Sequence, residues 1–271
     1  MKNTLKNESF SGSVIIDLKD NILKYLNDRI YMLFVILTAV GSYGFLISHH
    51  TVGIDDLEYD FYYRGGLFAQ GRITSTVVHW FFGLVKNQIW FLELIGILCF
   101  CLFTIMLCVI IDKFIKTKNH VPQIVFSCAF ISYPLHSELF SYGGTSLAVG
   151  AGGCIMAIAM LFAMKYQDTK ENKYLVFSAL WALPMLSWYE SVILLYVSIV
   201  LIILLSKQIK YNDYKFKNMF FEGLQYAIPL ISAFIVEVLI SGIVKNLPIC
   251  KGIANSSANS LAWEFSSKEV F

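Results

Sequence analysis

The chain alternates long apolar runs with short polar segments, a hydropathy pattern typical of membrane helices. Single spans are predicted at about 30–48, 89–111, 121–133, 146–164 and 225–244, and a continuation of the third past Pro134 is the alternative. The apolar run 174–205 is too long for one ordinary span, so we interpret it as two short helices that turn at Trp188, Tyr189 and Glu190. A re-entrant element there is the alternative. The pattern predicts an all-α, polytopic transmembrane bundle of about seven spans.

The polar segments complete this outline. Residues 1–29 are predicted to form a cytoplasmic tail, with an amphipathic stretch at 14–26 suited to an interfacial helix. Within the first outer loop, 49–88, the apolar stretch 73–85 is too short to cross, so a helix on or dipping into the membrane surface is expected. The transmembrane domain then covers 30–245. Residues 246–271 form an outer polar segment, and its end suggests a truncated chain.

Composition and charge place this bundle in a bilayer and orient it. The chain is 57% hydrophobic and only 15% charged, whereas soluble domains carry about 25% charged residues. With the N-terminus inside, most of the 21 lysines and arginines fall in inner segments, as the positive-inside rule requires. A net charge of +2 provides no basic field for nucleic acid. The cysteines lack the spacing of a zinc site.

The first outer loop carries the densest group of candidate chemical residues. Its acidic residues lie within six positions and are followed by two arginines: Asp55, Asp56, Glu58, Asp60, Arg64 and Arg72. Adjacent carboxylates shift each other's pKa values, so one can act as a base while another binds a ligand. An arginine fork suits a phosphate. The alternative is a solvated loop whose charges only face water. The carboxylates could also hold Mg²⁺ or Mn²⁺, but no metal ligand is assigned.

Further ionisable residues belong to the predicted outer half of the protein. Glu138 follows Pro134, and Glu190 follows Tyr189. Glu93 and Glu237 fall within predicted spans, where ionisable residues are costly and often functional. For Glu93 the alternative is snorkelling to the interface, and for Glu237 it is a structural hydrogen bond. The small residues of the span 146–164 are interpreted as a close helix-packing surface.

Three short motifs resemble the bacterial and phage glucosyltransferase II family. The first is Gly-Ile-Asp-Asp-Leu-Glu-Tyr-Asp at 53–60, followed by Arg64 and by Gly-Arg at 71–72. The others are Phe-Ser-Tyr-Gly-Gly-Thr-Ser at 140–146 and Leu-Ser-Trp-Tyr-Glu-Ser at 186–191. The resemblance covers about 30–245. The chain departs from the family pattern at Gly143–Gly144, where the family tends to carry Asp, and at Glu190, where it tends to carry Gln.

The resemblance implies a GT-C-like membrane glycosyltransferase. Such an enzyme moves a sugar, here glucose, from a polyprenyl-phosphate donor to a glycan acceptor such as O-antigen of lipopolysaccharide. The expected location is the outer face of the bacterial inner membrane, within the lipid bilayer. Asp55 or Asp56 is then the catalytic carboxylate. The remaining candidates would bind substrate or phosphate: Glu58, Asp60, Arg64, Arg72, Glu138 and Glu190. A transporter or flippase for a lipid-linked saccharide is the alternative, and a non-catalytic assembly factor is a weaker one.

Overall fold

A computed structural model describes residues 14–49, 72–81, 89–115, 119–140, 143–189, 192–210 and 216–247. The described chain is helical, without strands. Its helices are α1 (Val14–Leu26), α2 (Arg29–Ser48), α3 (Ile73–Phe81), α4 (Ile89–Asp112), α5 (Val121–Ile131), α6 (Pro134–Phe140), α7 (Gly143–Thr169), α8 (Asn172–Leu186), α9 (Val192–Lys210) and α10 (Phe216–Lys245). The predicted all-α class is therefore confirmed.

Five of the described helices are long and apolar enough to cross a membrane, namely α2, α4, α7, α9 and α10. Helices α5 and α8 are shorter, with 11 and 15 residues. At a rise of about 1.5 Å per residue, neither reaches across a hydrocarbon core of about 30 Å as a straight helix. The predicted count of about seven spans is not confirmed, whereas the division of 174–205 into two helices is.

Helices α4 and α7 form the centre of the bundle, where they run parallel. Most of both helices is buried inside the protein, whereas α2, α9 and α10 leave most of their surface exposed. Small residues allow the close approach: a Cβ atom added to Gly150 would lie 2.0 Å from the carbonyl oxygen of Gly96. The Cys154 thiol donates to the carbonyl of Cys99 over 3.2 Å, one turn further along the same contact. The packing interpretation of the small-residue span is confirmed.

Helix α8 returns antiparallel along α7. The Ser178 hydroxyl donates to the carbonyl of Ala159 over 2.7 Å, and the end of the Met185 side chain occupies the space beside Gly152. Only two residues separate α7 from α8, and Lys170 between them takes a left-handed backbone with φ of 57°. Helix α7 therefore continues to Thr169, five residues beyond the predicted span 146–164.

A hydrogen-bond network closes the end of the bundle at which α2 begins and α4 ends. The Tyr25 hydroxyl donates to the Asp112 carboxylate, which also accepts from the Gln123 amide over 2.6 Å. Burial, followed by the bond to Asp112, raises the pKa of Tyr25. Burial also lowers the pKa of Lys113 to about 8, against the attraction of Asp17. This network holds the amphipathic helix α1 against α4.

Two predicted boundaries were wrong for identifiable reasons. The third predicted span, 121–133, ends as α5 at Ile131 and resumes as α6 at Pro134, because a proline disfavours helical backbone in the residue before it. The last span begins at Phe216 rather than near residue 225. There Glu222 forms an ion pair with Lys207 of α9, which compensates the charge on this helical turn.

Candidate functional site

One end of the bundle collects several of the polar segments that the sequence singles out. This loop end is defined as the end at which α2 and α8 finish and α4 and α7 begin. On one side of it, the Tyr43 ring of α2 packs edge-on against Phe140 of α6, with centroids 4.9 Å apart. Phe140 packs in turn against Phe100 of α4 at 5.0 Å. Helix α6, which carries Glu138, is thereby attached to α2 and α4.

A pair of hydroxyl groups joins α3 to the end of α8. The Thr74 backbone N–H donates to the Ser187 hydroxyl over 3.3 Å, and the two hydroxyl oxygens lie 2.5 Å apart. The two residues are 113 positions apart in the chain. Ser187 is 8% exposed, and the next residue, Trp188, is 6% exposed. We call this contact the Thr74–Ser187 bridge.

The first turn of α3 fixes the backbone of Arg72. The carbonyl of Arg72 accepts two hydrogen bonds from Thr76, from its backbone N–H over 3.0 Å and from its hydroxyl over 2.9 Å. Arg72 therefore lies directly before α3 and accepts its first helical hydrogen bond, and the residue is partly exposed. An arginine beside the first backbone N–H groups of a helix is a favourable setting for an anion.

The end of α8 is held by backbone bonds of its own. Ser187 donates its N–H to the carbonyl of Leu183 over 3.3 Å, and both Trp188 and Tyr189 donate theirs to the carbonyl of Met185. The chain thus leaves α8 in a tight turn that leads to position 190. The predicted turn at Trp188 and Tyr189 is present.

Of the predicted site residues, only Arg72 and Glu138 belong to the described part of the chain. Glu138 is exposed on α6, so the two residues lie on separate elements at the loop end. The others lie outside the described residues: Asp55, Asp56, Glu58, Asp60, Arg64 and Glu190. Their predicted roles, and the predicted loop around them, stay predictions.

The structure also bears on the two glutamates within predicted spans. Glu93 is 2% exposed on α4, so protein encloses its side chain, which favours a role inside the bundle over snorkelling. Glu237 is partly buried on α10.

Sequence reasoning did not single out Thr74 or Ser187 as partners. Ser187 belongs to the motif 186–191, and Thr74 follows Gly-Arg at 71–72 by two positions. Each was therefore close to a recognised motif. No periodicity links residues so far apart in the chain, so only the packing of α3 against α8 reveals the pairing.

The fold and the loop end together define the class of the protein: an all-helical membrane protein that gathers polar segments at one end of an apolar bundle. The family model described as Glucosyl transferase GtrII matches residues 44–262, well over half of the chain. The chain belongs to this family, and the suspected resemblance is confirmed. Its enzyme class is accordingly that of a glucosyltransferase. No curated protein and no solved structure matches the chain.

Proposed function

We propose that the chain transfers a glucosyl group from a polyprenyl-phosphate donor to a cell-surface glycan such as O-antigen. The observation that carries this proposal is the convergence at the loop end. There the start of α3 at Arg72, the helix that holds Glu138 and the turn that leads to Glu190 belong to one end of the bundle. A lipid donor cannot leave the bilayer, so a transferase that uses it needs a polar site at the end of a membrane bundle.

The proposed chemistry needs one base and one phosphate-binding group. Asp55 or Asp56 removes the proton from the acceptor hydroxyl as its oxygen attacks C1 of the sugar. The bond between C1 and the phosphate oxygen breaks through an oxocarbenium-like state, and the phosphate leaves with the electron pair. Arg64 and Arg72 stabilise the developing charge. The further polar residues orient donor and acceptor: Glu58, Asp60, Glu138 and Glu190.

The charge distribution supports an orientation in which the loop end faces outward. The opposite end carries the basic residues that α9 and α10 bring together, including Lys207, Lys210 and Lys217. By the positive-inside rule, that end belongs in the cytoplasm. The proposed location is therefore the bacterial inner membrane, with the N-terminus inside and the site on the outer face.

The test is sugar transfer in proteoliposomes that hold the full chain, radiolabelled polyprenyl-phosphate glucose and an O-antigen acceptor. We expect transfer by the wild type and a loss of at least about 100-fold in Asp55→Asn or Asp56→Asn, the scale of general-base catalysis. The matched control is Asp20→Asn, an exposed carboxylate on α1. Full transfer by both loop variants would refute the assigned base. Counterflow of the lipid-linked sugar without transfer would favour a transporter or flippase instead.

A further inference from the structure

The Thr74–Ser187 bridge connects two segments that substrate recognition would have to hold together. On one side, Thr74 lies two residues beyond Arg72, within the turn that begins at the Arg72 carbonyl. On the other side, Ser187 is the residue at which α8 ends, directly before the turn through Trp188 and Tyr189. The bridge therefore sets the distance between the start of α3 and the end of α8.

Helix α3 needs such an anchor. It has nine residues, and isolated helices shorter than about 12–15 residues are marginal even with favourable sequences. Among the described helices, α8 is the one that α3 contacts most. Ser75, next to the bridge, is only 6% exposed, so this side of the first turn packs against protein. The placement of Arg72 thus depends on how α3 is fastened to α8.

The chemistry of the bridge suits positioning better than stability. Thr74 presents two groups, its N–H and its hydroxyl, to a single serine oxygen. These hydrogen bonds fix the direction in which the two turns face each other. Their contribution to folding stability is small, because replacing both hydroxyl partners by apolar groups of similar shape is often nearly neutral. The main effect of the bridge is therefore to position the first turn of α3 against the end of α8.

We infer that Thr74 and Ser187 are positioning residues of the transferase site, which hold Arg72 where it meets the phosphate of the lipid donor. This inference rests on the proposed function. A displacement of about 1 Å in a group that binds the transition state can reduce the rate by about 100-fold. Loss of the bridge should therefore lower activity far more than it lowers the yield of folded protein.

The experiment compares Thr74→Val, Ser187→Ala and the double variant with wild type in the same proteoliposome assay. We expect each single change to lower kcat/KM by about 10-fold to 100-fold, and the double variant to be no worse than either. Thr74→Ser, which keeps the hydroxyl, should retain most of the activity. The matched control is Ser198→Ala, because Ser198 is an exposed membrane-helix serine that donates only to its own helix, to Leu194 over 2.8 Å.

A second readout separates positioning from general damage. In an Arg72→Gln background, removal of the bridge should cause little further loss, because the group that it positions is already absent. The inference would be overturned if the bridge variants lowered activity by the same factor in that background as in the wild type. It would also be overturned if the loss of activity only matched the loss of folded protein. Full activity in both single variants would overturn it as well. No transfer by wild type would instead show that the proposed function fails, and the inference would fall with it.

Discussion

The contact between α4 and α7 makes a sharp prediction about Gly150. A Cβ atom added there lies 2.0 Å from the carbonyl oxygen of Gly96, about 1.4 Å short of the 3.4 Å at which ordinary contact begins. It would also lie 2.9 Å from the carbonyl carbon of Gly96. Both atoms are backbone, so no change of rotamer relieves the overlap. Gly150→Ala must shift one helix against the other.

The magnitude follows from the cost of overpacking. An extra methyl group in a well-packed core typically costs about 1–3 kcal/mol, and a backbone clash belongs at the upper end. For a chain of this size, about 3 kcal/mol lowers the melting temperature by about 6–12 °C. Gly41→Ala is the matched control, because nothing lies within 4 Å of the position of its added Cβ atom. Alanine is also the better helix former, by about 0.5–1 kcal/mol, so this control should be neutral or slightly stabilising.

The assay is the amount of monodisperse protein that remains in detergent after heating, measured over a range of temperatures. Gly153→Ala provides an intermediate case, because its added Cβ atom would lie 2.7 Å from the Phe103 ring, a side chain that can move. The expected order of damage is Gly150, then Gly153, then Gly41. Equal apparent Tm values for Gly150→Ala and Gly41→Ala would show that α4 and α7 do not approach so closely.

Two further predictions concern charged groups at the opposite end of the bundle. Lys207→Met or Glu222→Leu should each destabilise the protein by up to about 3 kcal/mol, because each leaves its partner, 13% or 17% exposed, without its opposite charge. The double variant should lose less than the sum in the same heating assay, and additive losses would contradict the pairing. For Lys113, burial depresses the pKa from its ordinary 10.5 to about 8. Between these two pKa values the unfolded chain binds more protons than the folded chain, so the free energy of unfolding increases as pH rises from about 8 to 10.5. Below pH 8 Lys113 is protonated in both states, and its burial lowers the free energy of unfolding by its full amount. Lys113→Met should remove that rise, and parallel pH profiles for variant and wild type would refute the account.

Much of the helix layout could be predicted from the pattern of apolar residues. The amphipathic stretch 14–26 is a helix over the same residues, and the first two predicted spans agree with α2 and α4 to within one residue. The break near Trp188 was also predicted correctly, because 32 consecutive apolar-rich positions exceed the length of one ordinary span. These features depend on local composition, which the sequence states directly.

The first turns of α10 show where the hydropathy pattern no longer predicts the end of a helix. This helix continues through polar residues, because partners from other elements compensate those residues: Lys170 donates to Gln225 over 3.0 Å, and Lys207 pairs with Glu222. A polar residue inside a helix and a polar residue in a loop look alike in a hydropathy profile. The difference is the hydrogen-bonding or ion-pair partner on another element, which the profile does not show.

For the candidate site, too, some features follow from the sequence and others only from the folded structure. From the sequence alone it follows that the chain is helical and apolar, that its acidic residues cluster between Asp55 and Asp60, and that residues 44–262 match the glucosyltransferase family. Hydropathy records whether a segment prefers water or an apolar medium, and lipid and protein interior are equally apolar. It therefore cannot say which helix faces touch. Only the folded protein shows that α4 and α7 meet at Gly96 and Gly150, and that Thr74 meets Ser187 across 113 positions of chain.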